Sequence, residues 1–255
     1  MNVCVVMPAY NEADGLGTFL SELNTSLEEW SPRFIVVDDC STDSTPEVLR
    51  AIRDSGLPVD SVRNESNRGH GISTLLALNL GAGSGRSVVV AIDGDGQFYG
   101  QDVHRLVESL VRNPSIDVIE GVRTSRTDQW FRRPVSAATR LLVWSRSRTI
   151  PADANTPLRA YRRLVLLDLL GELPSQSPVP NLHVSVALRK RQVKPAELPV
   201  TSRPRLGQNA VGTSWGSSPL KLPSRGFVLF CFAALRSWFS SGPHRGSATG
   251  HQGQG

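Results

Sequence analysis

The sequence predicts an α/β fold, a mostly parallel sheet flanked by helices with a smaller region attached, and three observations support this prediction. First, five short apolar, β-branched runs have the composition of buried strands. Second, helical patterns lie between these runs, and strict β-α alternation implies right-handed crossovers and parallel strands. Third, polar clusters directly follow three of the runs. They lie at the carboxyl ends of the predicted strands, which is where ligands bind in such sheets.

Each element of the alternating part is indicated by local residues. The predicted strands are Val3–Met7, Phe34–Val37, Val59–Val62, Val88–Ile92 and Ile116–Ile119. Apolar residues at helical spacing predict three helices, over about residues 16–27, 72–80 and 103–111. Another helix is predicted to open at Ser44-Thr45-Pro46-Glu47, where a cap residue is followed by a first-turn proline. The glycine-rich run 81–85 follows a helix and is expected to be a loop.

Beyond Gly121 the alternation fades. There we predict helices at Val135–Trp144, Arg162–Leu170 and Leu182–Lys190, a short strand at Thr156–Tyr161, and a proline-interrupted edge strand at Val193–Val200. The expected division is a first half over residues 1–121, a second half of the same domain over 122–210, a C-terminal extension over 211–239 and a disordered tail over 240–255.

Charge is distributed unevenly along the 255 residues. Residues 1–120 carry 8 Lys and Arg against 18 Asp and Glu, whereas residues 121–255 carry 20 against 5. An acidic half joined to an arginine-rich half suits a site where a cation and arginines share the charge of several phosphates. A basic surface can also serve solubility alone, and nucleic acid is the competing anionic partner.

Cysteine content and the chain start favour a cytoplasmic location. Cys4, Cys40 and Cys231 lack metal-ligand spacing and cannot all form disulfides, which is typical of a reducing compartment. The first strand-like run begins at Val3, which leaves no room for a signal peptide, so secretion is not expected.

The apolar run Phe227–Leu235 is far shorter than the ~20 residues that span a bilayer. Arg225 and Arg236 flank it, and Trp238 and Phe239 follow. Two interpretations of 227–239 stay open: a helix lying on the membrane surface, or a helix packed on the core.

The fourth strand ends in two carboxylates, Asp93 and Asp95, separated by glycine and followed by Gly96 and Gln97. Hard cations such as Mg²⁺ take one or two protein carboxylates together with phosphate oxygens of a substrate. The motif therefore predicts a divalent cation with a nucleoside diphosphate. The alternative is a simple Asp-Gly turn.

Four motifs occur in order: Val6-Met7-Pro8-Ala9-Tyr10-Asn11-Glu12, Val36–Thr45 with Asp38-Asp39, Asn67-Arg68-Gly69-His70-Gly71, and Asp93–Gln97. Together they resemble the family-two inverting glycosyltransferases, whose GT-A fold has a Rossmann-like sheet. Over about residues 3–210 the chain is most similar to the dolichol- and polyprenol-phosphate sugar synthases within that family.

This resemblance implies a set of donor-site residues. The nucleotide sugar would be bound by Pro8, Ala9, Tyr10, Glu12, Val37, Asp38, Asp39, Arg68, Gly69, Asp93, Gly94 and Asp95. Asp38 and Asp39 would accept hydrogen bonds from base and ribose, although they could instead be loop residues that cap the next helix. Asp93, Asp95 and Gln97 would hold Mg²⁺ or Mn²⁺ and so stabilise the departing diphosphate.

The resemblance also implies an acceptor side. Gly121–Thr124, Arg132-Arg133 with Ser136, and 198–207 resemble segments that bind phosphate, which implies phosphate-binding roles for Arg123, Arg133 and Arg205. Each arginine could also be an ordinary surface charge. In relatives, an Asp at the position of Asp153 is followed by a Gly-Phe-Arg segment. In this chain Pro157 and Leu158 replace the Gly and Phe of that segment. His183 stands where many relatives have an acidic residue; it could act as a base or simply pack on its helix.

These observations predict a metal-dependent inverting glycosyltransferase with Asp153, Arg123 and Asp95 as catalytic residues. The predicted substrates are a UDP- or GDP-linked sugar and a polyprenyl phosphate, reached by peripheral contact with the inner face of the membrane. One alternative is transfer to a hydroxyl acceptor with Asp153 as general base. Another alternative is a non-catalytic, anion-binding protein built on a degenerate transferase scaffold. If the chain is a transferase, no nucleic acid partner is expected.

Overall fold

The computed structural model describes residues 1–124, 132–191 and 195–207 with Arg236 and Trp238, and for 132–136 it describes the backbone alone. The strands in these residues are β1 (Val3–Ala9), β2 (Arg33–Asp38), β3 (Val59–Arg63), β4 (Val88–Ala91), β5 (Val118–Arg123), β6 (Arg159–Arg162) and β7 (Ala196–Val200). The α-helices are α1 (Ala13–Ser26), α2 (Thr45–Asp54), α3 (His70–Gly83), α4 (Gly100–Arg112), α5 (Arg132–Ser147), α6 (Arg163–Leu170) and α7 (Pro180–Lys190).

The seven strands form one sheet in the order β3-β2-β1-β4-β6-β5-β7. The pairs β1 with β2, β1 with β4, β2 with β3, and β5 with β7 are parallel. β6 is antiparallel to both of its neighbours, β4 and β5. The predicted mostly parallel α/β fold is confirmed. β7 lies at the edge, where the missing N–H of Pro199 is tolerated, as predicted.

Apolar residues cover both faces of the sheet. On one face α1 and α4 pack through residues such as Phe19, Leu23 and Leu106, all fully buried. On the other face α3, α6 and α7 pack through residues such as Leu78 and Leu188. β1 and β4 are buried along their whole length, which explains why these strands are continuous apolar runs without alternation.

The glycine-rich run after residue 80 is only partly the loop that we expected. Gly81, Ala82 and Gly83 form the last turn of α3. A Cβ atom at Gly81 would lie 2.6 Å from Cγ1 of Val6 and 2.9 Å from Cγ1 of Val89. Glycine here allows the helix to approach the sheet closely, so the expectation of a loop was wrong for these three residues.

Two residues of the segment 227–239 are described, Arg236 and Trp238, and both are helical. Trp238 is 2% exposed and packs in a third apolar cluster with Val143 of α5 and Leu182 of α7. Trp238 is thus packed against the rest of the protein, whereas the two interpretations of 227–239 stay predictions, because its other residues, and the tail 240–255, lie outside the described residues. No helix in the described part of the chain is long and apolar enough to cross a membrane.

The predicted division at residue 121 falls inside β5, so the sheet continues across it. The predicted domain boundaries themselves stay predictions.

Candidate functional site

The polar clusters that follow β1, β2 and β4 lie at one edge of the sheet. Ala9 and Asp38 are register partners at the ends of β1 and β2. The chain leaving β4 stays beside β1, since the N–H of Gly94 donates to the carbonyl of Pro8 at 3.2 Å. A Cβ atom on Gly94 would lie 2.8 Å from that carbonyl oxygen. A larger residue would therefore push the Asp93–Asp95 turn away from β1.

Asp38 and Asp39 are buried and brace the neighbouring loops. Asp38 accepts hydrogen bonds from the Ser41 N–H at 2.9 Å and the Arg63 guanidinium at 2.5 Å. Asp39 accepts from the Asn64 amide at 2.8 Å, and from the N–H groups of Arg68 and Gly69, both at 2.9 Å. These contacts join β2 to the loop before α3.

Neither aspartate caps α2 in the way that the alternative interpretation suggested. The carboxylate that bonds the start of α2 is that of Asp43, which accepts from the N–H of Thr45, the first residue of the helix, at 3.0 Å. Sequence reasoning missed the roles of Arg63 and Asn64, because a polar residue at a strand end has no local signal for its partner.

The loop after β1 contains Asn11 in the left-handed region, at φ 56°, and the loop after β2 contains Cys40 at φ 61°. Non-glycine residues adopt this conformation at a cost and concentrate at functional sites. Asn11 is held there by its side-chain oxygen, which accepts from the Thr42 N–H at 2.8 Å. The two loops are thus locked together beside Tyr10 and Glu12, which the resemblance placed in the nucleotide pocket.

Three carboxylates, Glu12, Asp93 and Asp95, form an acidic cluster at this edge. Burial raises the pKa of Asp95 to about 6, and the nearby charge of Asp93 adds to the shift. Burial also raises the pKa of Glu12 to about 7; Arg205 opposes this shift, while Asp95 and Asp93 increase it. Both carboxyls therefore hold their protons more tightly than exposed ones do, mainly because they are buried.

Arg205 provides counter-charge from the far end of the described chain. Its Nη2 donates to Glu12 and lies 3.6 Å from Oδ2 of Asp95. Its Nε is buried and has no hydrogen-bond partner among the described residues. An unpartnered guanidinium N–H beside an acidic cluster suits a ligand that carries both positive and negative charge, such as a metal-bound diphosphate.

The segment 201–207, which contains Arg205, packs directly on the 93–97 turn. The Leu206 N–H donates to the carbonyl of Asp95 at 3.1 Å, and the Arg203 N–H donates to that of Gln97 at 2.9 Å. Arg203 also donates from Nε to the Gly96 carbonyl at 2.7 Å. These contacts account for the position of Arg205.

The oxygen donors of the cluster fit a hard divalent cation. Asp95 Oδ1 already accepts from the Gln97 N–H at 3.1 Å, which orients the carboxylate, and Asp93 is partly exposed. No three His, Cys, Asp or Glu side chains in the described ranges converge to hold a metal alone. This arrangement suits a cation such as Mg²⁺, which takes few protein ligands and completes its shell with phosphate oxygens and water.

On the side where the resemblance placed the acceptor, Arg123 and Asp153 are in contact. The Nε of Arg123 donates to Oδ2 of Asp153 at 2.9 Å, and Asp153 is 4% exposed. Arg123 is therefore not the solvated surface charge that one interpretation allowed. Arg133 lies in the first turn of α5, and its side chain is outside the described residues.

A buried ion-pair network lies below Asp153, and sequence reasoning missed it. Glu120 accepts hydrogen bonds from Arg159 at 2.9 Å and from Arg189 at 2.8 Å. Arg159 also donates to Ser185 Oγ at 2.7 Å, and that hydroxyl donates to the carbonyl of Ala154 at 2.8 Å. The network thereby ties the residue after Asp153 to β5 and α7.

His183 is buried at the edge of this region and is not placed to act as a base. Both ring nitrogens lack a hydrogen-bond partner among the described residues, and the ring stacks on Trp238 with centroids 5.6 Å apart. Burial lowers the pKa of His183 to about 4, and the charge of Arg146 contributes. The ring is therefore neutral near pH 7, and its packing explains its position.

Comparison with known proteins decides the family. Residues 4–167, more than half of the chain, match the sequence profile described as Glycosyl transferase family 2. The chain belongs to glycosyl transferase family 2. The match covers all four motifs, from β1 to the turn after β4, and extends through β6 into α6.

Family members similar to this chain include the undecaprenyl-phosphate 4-deoxy-4-formamido-L-arabinose transferases of Edwardsiella ictaluri (strain 93-146), 30% identical over 194 residues, and Serratia proteamaculans (strain 568), 28% identical over 195 residues. Each alignment covers 75% of this chain and 58% of the relative. The chain thus spans less than two thirds of the length of these relatives.

Solved structures confirm the GT-A-type fold. Glucosyl-3-phosphoglycerate synthase from Mycobacterium tuberculosis, in complex with Mn²⁺, uridine diphosphate and glucosyl-3-phosphoglycerate, has a TM-score of 0.65 at 20% identity, covering 94% of this chain and 79% of that chain. The complex of the same protein with Mn²⁺ and UDP-glucose also has a TM-score of 0.65 at 20% identity, covering 94% of this chain and 78% of that chain.

Proposed function

We propose that this chain is a metal-dependent inverting glycosyltransferase that moves a sugar from a nucleoside diphosphate to a polyprenyl phosphate. The observation that carries the proposal is the cluster of Glu12, Asp93 and Asp95 at the strand ends, with Arg205 against it and the buried Nε of Arg205 left without a hydrogen-bond partner among the described residues. The names of the similar family members, undecaprenyl-phosphate sugar transferases, support the acceptor class.

On the donor side, Asp93, Asp95 and Gln97 are proposed to hold Mg²⁺ or Mn²⁺. When bound, the cation supplies positive charge that stabilises the departing nucleoside diphosphate. Arg205 is proposed to bind the diphosphate through its unpartnered Nε–H. The Mn²⁺ and UDP in complexes of glucosyl-3-phosphoglycerate synthase support Mn²⁺ and a UDP-linked rather than a GDP-linked donor.

The nucleoside is proposed to lie against the ends of β1 and β2, with Pro8, Ala9, Tyr10 and Val37 as the wall. A carboxylate offers about four acceptor sites. Asp38 has two of these sites occupied and Asp39 three, so each can still accept a hydrogen bond from the base or the ribose.

On the acceptor side, the Arg123–Asp153 pair favours a phosphate over a hydroxyl group. A general base must accept a proton, and a guanidinium bonded to Asp153 opposes that step. A polyprenyl phosphate is already ionised and requires no base. Asp153 then orients Arg123, and Arg123 binds the acceptor phosphate and brings it to the sugar. Arg133 is proposed to assist. We place the reaction in the cytoplasm, in line with the cysteine content.

The test is to measure sugar transfer by Asp153→Asn to a polyprenyl phosphate and to simple alcohols, with Mn²⁺ and a panel of UDP- and GDP-sugars. We expect transfer to the phosphate to continue at a reduced rate, because Asn can still accept a hydrogen bond from Arg123. The matched control is Asp117→Asn. Asp117 directly precedes the first residue of β5, at the opposite end of the strand from Arg123, and this variant should behave as wild type. Transfer to an alcohol that Asp153→Asn abolishes would establish the hydroxyl-acceptor mechanism instead.

Donor hydrolysis separates the enzyme from a degenerate scaffold. Without acceptor, the wild-type protein should slowly hydrolyse its nucleotide sugar when metal is present, and Asp95→Ala should not. No hydrolysis and no metal-dependent thermal stabilisation by any nucleotide sugar would favour the non-catalytic, anion-binding alternative.

A further inference from the structure

Helix α5 presents apolar side chains to solvent. Leu141 is 62% exposed and Trp144 is 38% exposed, and their spacing of three residues places them on one face of the helix. Ile150, just beyond the helix end, is 58% exposed. The opposite face is buried, since Val143 packs with Leu182 of α7. The helix therefore has one apolar face inside the protein and a second one outside it.

The charged side chains of α5 and of the residues just after it are all positive. Between residues 132 and 150 the chain has five arginines and no Asp or Glu. Arg140 is exposed, and the exposed Arg148 places its guanidinium 5.5 Å from the centroid of the Trp144 ring. Arg146 is turned inward and donates to the carbonyl of Trp238. Arg140 and Arg148 thus border the exposed apolar side chains.

This combination matches an anionic bilayer surface. Trp and Leu side chains enter the boundary between headgroups and acyl chains, while flanking arginines stay at the anionic headgroups. Trp and Arg together are typical of this boundary, because each combines an apolar body with a polar end.

Both ends of α5 lead to the acceptor side. Arg123 lies nine residues before the helix starts, and Asp153 lies three residues after Ile150. The outer face of α5 is therefore close in sequence to both members of the Arg123–Asp153 pair.

We propose that the outer face of α5, formed by Leu141, Trp144 and Ile150 with Arg140 and Arg148 around them, docks the protein on an anionic membrane surface. The link to a lipid acceptor rests on the proposed function, whereas the docking itself does not.

The test is co-sedimentation of the full chain with phosphatidylcholine vesicles, with and without phosphatidylglycerol. Wild type should bind the anionic vesicles and dissociate as salt is raised. The double variant Leu141→Glu, Trp144→Glu should bind at least about tenfold more weakly, because burial of one such side chain alone accounts for that factor. Unchanged melting temperature of the variant shows that it is folded.

The matched control is Leu164→Glu with Leu167→Glu on α6, which are 70% and 40% exposed and lie on another helix. This control should bind as wild type. Equal loss in both double variants, no loss in the α5 variant, or no vesicle binding by wild type would overturn the proposal. A wild-type dimer that the α5 substitutions dissociate would also overturn it, by identifying the face as a contact between copies.

Transfer to a water-soluble, short-chain prenyl phosphate separates this proposal from the proposed function. The α5 variant should keep that activity and lose transfer to acceptor embedded in vesicles. Vesicle binding without transfer to either acceptor would leave the docking surface standing and refute the proposed function. Transfer to the short-chain acceptor without vesicle binding would support the proposed function and refute the docking surface.

Discussion

Replacing Asp95 by Asn is expected to stabilise the metal-free protein and abolish transfer. Burial and the neighbouring Asp93 raise the pKa of Asp95 from 3.8 to about 6. Such a shift means that the folded state disfavours the ionised carboxylate by about 3 kcal/mol. Asn removes this charge and keeps an oxygen that can accept from the Gln97 N–H. For a domain of this size, about 3 kcal/mol raises the melting temperature by about 6–12 °C.

The gain must depend on pH. The raised pKa means that the folded protein holds this proton more tightly than the unfolded chain does. The wild type therefore loses stability as pH rises from 3.8 through about 6, and it has lost the full amount above about pH 7. The advantage of Asp95→Asn should be small near pH 4 and constant above about pH 7.

The assay is denaturant and thermal unfolding of both proteins from about pH 4 to pH 8, in chelator and then with Mn²⁺. Mn²⁺ should stabilise wild type and have little effect on Asp95→Asn. Asp39→Asn is the contrasting control, since Asp39 accepts three N–H donors and its loss should destabilise. A variant less stable than wild type at high pH, or a gain that does not vary with pH, would refute the argument.

Three further outcomes are expected. Glu120→Gln should lower the free energy of unfolding by about 3–5 kcal/mol in urea, because two buried arginines lose their counter-charge; a loss below about 1 kcal/mol would contradict the network. Gly94→Ala should weaken nucleotide binding in calorimetry, since its Cβ would lie 2.8 Å from the Pro8 oxygen; unchanged affinity would show that the turn adapts. Trp238→Ala should move the pKa of His183 from about 4 towards 6.5 in an NMR titration, because the ring becomes hydrated; an unmoved pKa would mean that other residues bury it.

Much of the fold could be predicted from the sequence because its signals are local. A run such as Val88–Ala91 is buried on both sides, so its strand is indicated by its own residues. The β-α alternation then placed the ends of β1, β2 and β4 at one edge, and Asp93 and Asp95 with them. The glycines were harder to interpret, since Gly81 serves close packing and Gly94 serves a turn against β1.

The sequence by itself thus determined the mostly parallel character of the sheet, the edge that carries the candidate site, and the family. The tertiary structure decided which charges meet: Glu12 with Arg205 across 193 positions, Arg123 with Asp153, and Glu120 with two arginines. It also decided that β6 runs antiparallel and that Trp238 covers His183. The reason is physical: strand formation depends on neighbouring residues, whereas the partner of a charged or aromatic side chain depends on the path of the whole backbone.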